Sequence, residues 1–299
     1  MSKFDKDYLK LCEKILEEGV EVENRTGVNT IKIPGYFFEF DLEKEFPILT
    51  TKQLFFKNAI TEMLWIYQAQ SNDVRWLQKR GNHIWDEWEI DSEGLWKANQ
   101  NVLEDGKLVK KEVVKKFPKK YAHTIGTAYG FIVKKYNLID NLINTLKNNQ
   151  TDRRMVMSLW QNKYLDTAVL PSCVWSSEWD VTDGKINMWV HQRSCDVPLG
   201  LPFNVTQYAV LLSLIAHVTN LKPGKIFWSI KDAHIYVNQI DGIKEQIRRG
   251  KELEDLEAPT LWINPEIKDF YKFDNSRALK DIKIVNYKHH GKIEFTITQ

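Results

Sequence analysis

Cysteine is scarce in this chain. Cys12, Cys173 and Cys195 are the only three in 299 residues. They are odd in number and have no C-x-x-C spacing, which argues against both a disulfide framework and a zinc site. No metal is expected. Long apolar runs are also missing: nothing approaches the roughly 18 residues of a membrane span. The opening stretch "MSKFDKDYLKLCEKILEEG" has no apolar signal core and reads as an amphipathic helix. A reducing cytoplasm is therefore the expected compartment. There is little net charge either, with 42 Lys+Arg against 40 Asp+Glu. That balance removes any global argument for nucleic acid or a membrane surface, while leaving local clusters open. Neither a repeat nor a linker divides the chain, so one domain over 1–299 is expected.

Apolar residues make up 43% of the sequence, ample for a sizeable core. Helical spacing runs through Leu9, Cys12, Ile15 and Leu16. After a turn at "ENRTGVNT", "IKIPGYFFEFDL" alternates like paired strands. In "QLFFKNAITEMLWIYQAQ" the apolar residues recur three and four apart, predicting a buried helix. Glu62 and Trp65 interrupt it with polar capacity. The segment around 101–120 holds seven lysines and reads as a solvated surface excursion. It lacks the interleaved aromatics that stack bases, so nucleic acid is not the expected partner. "LIDNLINTLKNN" predicts a helix, and "RRMVMSLW", "VWSSEWDV" and "INMWVHQRS" predict strands. Next come a long apolar helix in "TQYAVLLSLIAHVT", a strand in "GKIFWSIKDAHIY", and a helix ending at Gly250. "LWINP" and "KIVNYKHHGKIEFTIT" suggest a final hairpin. Helices and strands mix without regular alternation, giving an α+β class with a large mixed sheet.

Cys173 can be read as a small core residue or as a nucleophile. The second reading needs positive charge nearby to lower the thiol pKa. Asp-Gly in "VTDGKI" is a strong hairpin signal, and that hairpin would bring "SCV" beside "QRS", and so Cys173 beside Arg193. Arg153 and Arg154 are adjacent, and neighbouring strand residues face opposite ways. With Arg25 and Arg193 they make four guanidinium groups beside turn residues, suited to bidentate phosphate recognition or simply surface charge. Asn204 stands where a helix N-cap would open "VTQYAVLL". Its amide could equally pair with a cis-amide such as the N3–H and O4 edge of uracil. His234 and Tyr236 share a strand face and could hold a sugar hydroxyl, or be structural.

The stretches "RTGVNT", "FPILTTKQ", "EMLW", "IWDEW", "DRRMVMSLW", "LPSC", "QRSCDVPLGLPFN" and "KDAHIY" occur in an order that resembles the folate-dependent thymidylate synthases over essentially the whole chain. Three departures stand out. Val174 replaces a usual histidine, "TAYGFIVKK" lacks the usual Gln and Trp, and Lys231 replaces a glycine. They are similar to a divergent bacterial and bacteriophage branch.

The resemblance implies reductive methylation of dUMP to dTMP with 5,10-methylenetetrahydrofolate, and sheets packed face to face across a homodimer. Cys173 would add to C6 of the base. Glu62 and Tyr129 would handle protons, with Arg193 and Asp196 completing the catalytic set. Arg25, Arg193 and Ser194 would hold the phosphate, joined by Arg153 and Arg154 from the partner. Cys195, Asp196 and Asn204 would line the nucleotide, and His234 and Tyr236 its sugar. Trp85, Trp88, Leu170, Gly200 and Phe203 would pack on the folate, with Asp196 bonding its pterin. A dUMP hydroxymethylase of the same fold, or secondarily an RNA-binding regulator, is the alternative.

Overall fold

A computed structural model describes residues 1–104 and 107–298. The helices are α1 (Lys3–Glu18), α2 (Phe56–Tyr67), α3 (Val74–Gln78), α4 (Gly130–Lys135), α5 (Leu138–Asn148), α6 (Gly200–Val218) and α7 (Ile240–Glu252). The strands are β1 (Val20–Val22), β2 (Thr30–Asp41), β3 (Leu95–Glu104), β4 (Lys107–Lys116), β5 (Val156–Ser158), β6 (Val174–Thr182), β7 (Lys185–Gln192), β8 (Cys195–Asp196), β9 (Lys222–Tyr236), β10 (Thr260–Ile263) and β11 (Ile282–Val285). Seven strands form one mixed sheet in the order β1-β2-β9-β7-β6-β5, with β8 alongside β9. The β7–β9 and β8–β9 ladders are parallel. This is the expected α+β class.

One face of the sheet is dry. Along β7, Ile186, Met188, Val190 and Gln192 point inward, and along β9 Ile226, Trp228 and Ile230 do the same. α6 lies over this face and is buried on nearly every side, and α2 packs against it. Among the described residues α6 is the one helix long and apolar enough to cross a bilayer, and 83% of that stretch is buried in the core. The other face carries aromatics that none of the described residues covers. Phe37, Trp175 and Trp189 remain 49%, 37% and 42% exposed. Phe227 stacks on both Phe37 and Trp189 there, and those two meet at a tilt.

The turn at Asp183–Gly184 has φ of +52° and +69°, the left-handed pair that a two-residue hairpin needs. It joins β6 to β7 as expected. α1 is anchored by Asp5, whose buried carboxylate accepts from the backbone N–H and hydroxyl of both Thr50 and Thr51. That contact fixes the loop leading to Lys52.

Several expectations need correction. "IKIPGYFFEFDL" is one strand, β2, whose register against β9 is the same on both sides of Gly35. α7 runs through Gly250 to Glu252, because neighbouring residues keep the helical pattern and Leu253 supplies the cap. The closing pair is met only in part: "LWI" in β10 pairs antiparallel with "KIV" in β11, but across the long connection 264–281, and 286–298 forms no strand. Asn204 is not a cap. The helix starts earlier, at Gly200, with Leu199 at the cap and Asn204 inside it. The lysine-rich excursion is a two-stranded ribbon, β3–β4. Its base is a small apolar cluster of Ile90, Trp96, Ala98, Phe117 and Val169, against which Trp88 packs. Lys110, Lys115 and Lys116 are exposed, as expected.

Candidate active site

The open end of the β6–β7 hairpin brings Cys173 and Arg193 together. The Arg193 N–H donates to the Cys173 carbonyl at 2.9 Å. Its guanidinium donates to the carbonyls of Ser172 at 3.1 Å and Pro171 at 2.6 Å, and lies 3.8 Å from the Cys173 sulfur. The cation is held by backbone, so its position does not depend on a bound ligand. Burial pushes the Cys173 thiol up, while Arg193, Arg25 and a hydrogen bond from Tyr129 pull it down, leaving it above its ordinary value. Each cationic or hydrogen-bond-donating contact therefore matters for making thiolate.

Cys173 opens into a cavity of about 160 Å³ lined by Glu62, Trp85, Tyr129, Leu170, Val174, Asn204 and Gln207 among others. Tyr129 hangs over the cysteine and accepts its N–H at 3.1 Å. The tyrosine backbone is held at φ +45°, a conformation that L residues rarely adopt. Strain of this kind clusters at functional positions. The next residue, Gly130, has no room for a side chain, since a Cβ there would sit 2.0 Å from the Ser71 carbonyl.

Glu62 comes from the buried face of α2. The Trp85 indole donates to one of its oxygens at 2.6 Å and the Gln207 amide donates to the other. Burial outweighs these bonds and raises its pKa to about 7. The polar chain continues through Gln207, which accepts from the Asn204 amide at 3.1 Å. Asn204 accepts from Gln192 at 3.1 Å, and Gln192 accepts from the Trp228 indole at 2.9 Å. Thus Asn204, the residue expected to read a base, sits in one hydrogen-bonded line with Trp228, Gln192, Gln207 and Glu62.

Asp196 is fixed by the Leu199 N–H at 3.1 Å and lies 3.4 Å from the Gln239 amide. Burial raises its pKa. His234 bonds Asp232 at 2.8 Å and sits edge-on to Tyr236, with centroids 5.3 Å apart. Arg25 is presented by a turn that Asn24 organises, accepting from the Thr26 N–H at 2.9 Å and donating to the Val28 carbonyl at 2.8 Å. Ser194 is half-buried. Cys195 is completely buried, so its side chain cannot line a ligand and only its backbone could. Trp85 touches Trp88 and Tyr129 edge-on, both at 5.4 Å between centroids. Leu170, Gly200 and Phe203 are half-buried; Leu170 lines the cavity with Trp85, and Gly200 lies beside Asp196 and Asn204. A Cβ on Gly200 would meet nothing closer than 3.7 Å.

The chain does not bring Arg153 and Arg154 to this cavity. Both are exposed, and Arg154 is 87% accessible while it pairs with Asp152 at 2.9 Å. Gln192, Gln207, Trp228, Gln239 and Lys52 escaped the sequence reading. Gln207 lies three residues after Asn204 on a helix, which places the two on one face. Lys52 lies within "FPILTTKQ" and is buried against the Pro198 carbonyl and the Phe295 ring, and burial lowers its pKa to about 8.

A family model for thymidylate synthase matches residues 6–299. A thymidylate synthase from Clostridium beijerinckii is 48% identical over 298 residues, covering all of both chains. One from Bacillus phage phi3T is 38% identical, covering 99% of each. The solved structure of a thermostable thymidylate synthase A from Bacillus subtilis superimposes with a TM-score of 0.81 at 37% identity, covering 99% of each chain. The chain belongs to the thymidylate synthase family.

Proposed function

We propose that the Cys173 cavity methylates dUMP to dTMP, which makes the protein a methyltransferase, and that the residues around the cavity divide the work. Arg25, Arg193 and Ser194 hold the phosphate, and His234 and Tyr236 hold the sugar. Asn204 reads the edge of the base. Cys173 adds as thiolate to C6 of uracil, which turns C5 into a nucleophile. Glu62, with a pKa near 7, can hold or release a proton beside O4. Tyr129, over the cysteine, is placed to assist removal of the C5 proton.

The residues present fit a folate. Trp85, Trp88 and Leu170 offer apolar surface at the cavity, Gly200 and Phe203 would add to it from the first turn of α6, and the half-buried Asp196 carboxylate can bond a pterin. When bound, 5,10-methylenetetrahydrofolate supplies both the one-carbon unit and the hydride. Trp85 helps keep water from the reacting carbon, which favours methyl over hydroxymethyl transfer. The observation that carries this reading is the Arg193–Cys173 contact inside a cavity that Glu62 and Asn204 also line.

Arg153 and Arg154 enter the proposal through a second copy of the chain. Thymidylate synthases are generally dimeric. The uncovered aromatic face of the sheet is the surface such a copy would bury, and the two arginines, unable to reach their own cavity, would serve the partner's phosphate site. The first experiment is direct. Incubation with dUMP and methylenetetrahydrofolate should yield dihydrofolate, followed by absorbance. No dihydrofolate, with dUMP bound, would overturn the reading.

A further inference from the structure

Trp228 lies under the active site, 0% exposed; it does not line the cavity itself but packs edge-on against Tyr208, which does, with centroids 5.5 Å apart. Its only polar atom, the indole nitrogen, can donate and cannot accept. It donates to Gln192, which leaves the Gln192 amide one choice of direction. Gln192 must turn its oxygen to the indole and its NH2 to Asn204. Asn204 must then accept with its oxygen and donate with its nitrogen to Gln207. Gln207 in turn donates to Glu62.

The opposite direction would reverse every amide in the line. It would set the NH2 of Gln192 against the indole N–H, two donors facing each other with no acceptor between them. At the far end, Glu62 forbids the reversal only while ionised, because a protonated carboxyl can donate. Trp228 is therefore the one group in the line whose polarity never changes.

We propose that Trp228 is a specificity-determining positioning residue: through Gln192 it fixes which side of the Asn204 amide presents its acceptor and which its donor to the base. Uracil offers N3–H and O4, and cytosine offers N3 and an exocyclic amine, so the two need opposite amide directions. An unconstrained asparagine could serve either. The inference rests on the proposed role of Asn204 as reader of the base.

Tritium release from C5 of dUMP and of dCMP, measured on the same preparations, tests it. Trp228→Phe removes the donor and leaves only ionised Glu62 to oppose the reversed direction. Gln192→Glu keeps the side-chain shape but presents an acceptor to Asn204, favouring the reversed direction. Both should lower the dUMP-to-dCMP ratio of kcat/KM by about tenfold or more, the scale of one mismatched buried hydrogen bond. General loosening would slow both substrates together and leave the ratio alone. A wild-type ratio in both variants overturns the proposal. If Trp228→Phe does not fold, Gln192→Glu decides alone. Asn204→Asp separates the two layers: no change in its base preference would remove Asn204 as reader and this inference with it. A change there, with none in the other two, would refute Trp228 only.

Discussion

At the scale of single residues, Cys173 has the sharpest expectation. Cys173→Ala should abolish turnover and keep measurable dUMP binding, since the arginines and Asn204 make the ground-state contacts. Cys173→Ser should be nearly as inactive, because an alcohol is far less ionised than a thiol near neutral pH. Activity above a trace in the alanine variant would remove Cys173 as the nucleophile. Glu62 carries a pH signature. Its folded pKa is near 7, above its ordinary 4.5. Between those values the folded protein holds a proton that the unfolded chain has lost. The resulting stabilisation is complete below 4.5 and is lost as pH rises through 7. At about 1.4 kcal/mol per unit, the loss is on the order of 3 kcal/mol. Denaturant midpoints across that window should fall more steeply for wild type than for Glu62→Gln, and parallel curves would contradict the shift. Cys173, Arg193 and Asn204 were legible because each stands in a distinctive short stretch. Gln192, Gln207 and Trp228 were not. A glutamine or a buried tryptophan has many uses, and only the three-dimensional line of bonds gives these three a direction.

At the scale of elements, sequence reading did best where the signal was local. The Asp-Gly turn fixed the β6–β7 hairpin, and apolar spacing found α1, α2 and α5. It did worst where tertiary packing decides. Nothing local reveals that β2 pairs with β9 along its whole length, or that the chain beyond Ile282–Val285 adds no further strand. α6 begins before Asn204, and its first turn buries Leu201 and Pro202 against the rest of the molecule, a fact outside any cap rule. The lysine-rich ribbon stands on Trp96, which is 4% exposed and donates to the Glu87 carbonyl at 3.0 Å. Through that apolar cluster it braces Trp88, next to Trp85. Trp96→Ala should cost about 3–5 kcal/mol of stability, measured by chemical denaturation. It should also raise KM for the folate more than for dUMP. Equal effects on both substrates would mean that the ribbon does not support the folate wall.

At the scale of the whole molecule, the prediction concerns two copies. Arg153→Ala and Cys173→Ala damage different halves of a site if the arginine works across the interface. Mixing the two inactive proteins under conditions of subunit exchange should restore one intact site per mixed dimer and recover activity. Complete failure, with exchange confirmed by mass, would place the arginines in their own subunit's site. The hairpin that joins Cys173 to Arg193 also bears on how the molecule comes to fold. A two-residue turn lets those strands meet in roughly 1–10 μs. The ladder beside them must wait for partners such as Lys32 and Asp232, 200 positions apart, and such long-range closure is slow. The nucleophile and its cation should thus be paired early in refolding, and the rest of the site should assemble around them. Pulse-labelled hydrogen exchange would find amides of β6 and β7 protected before those of β2.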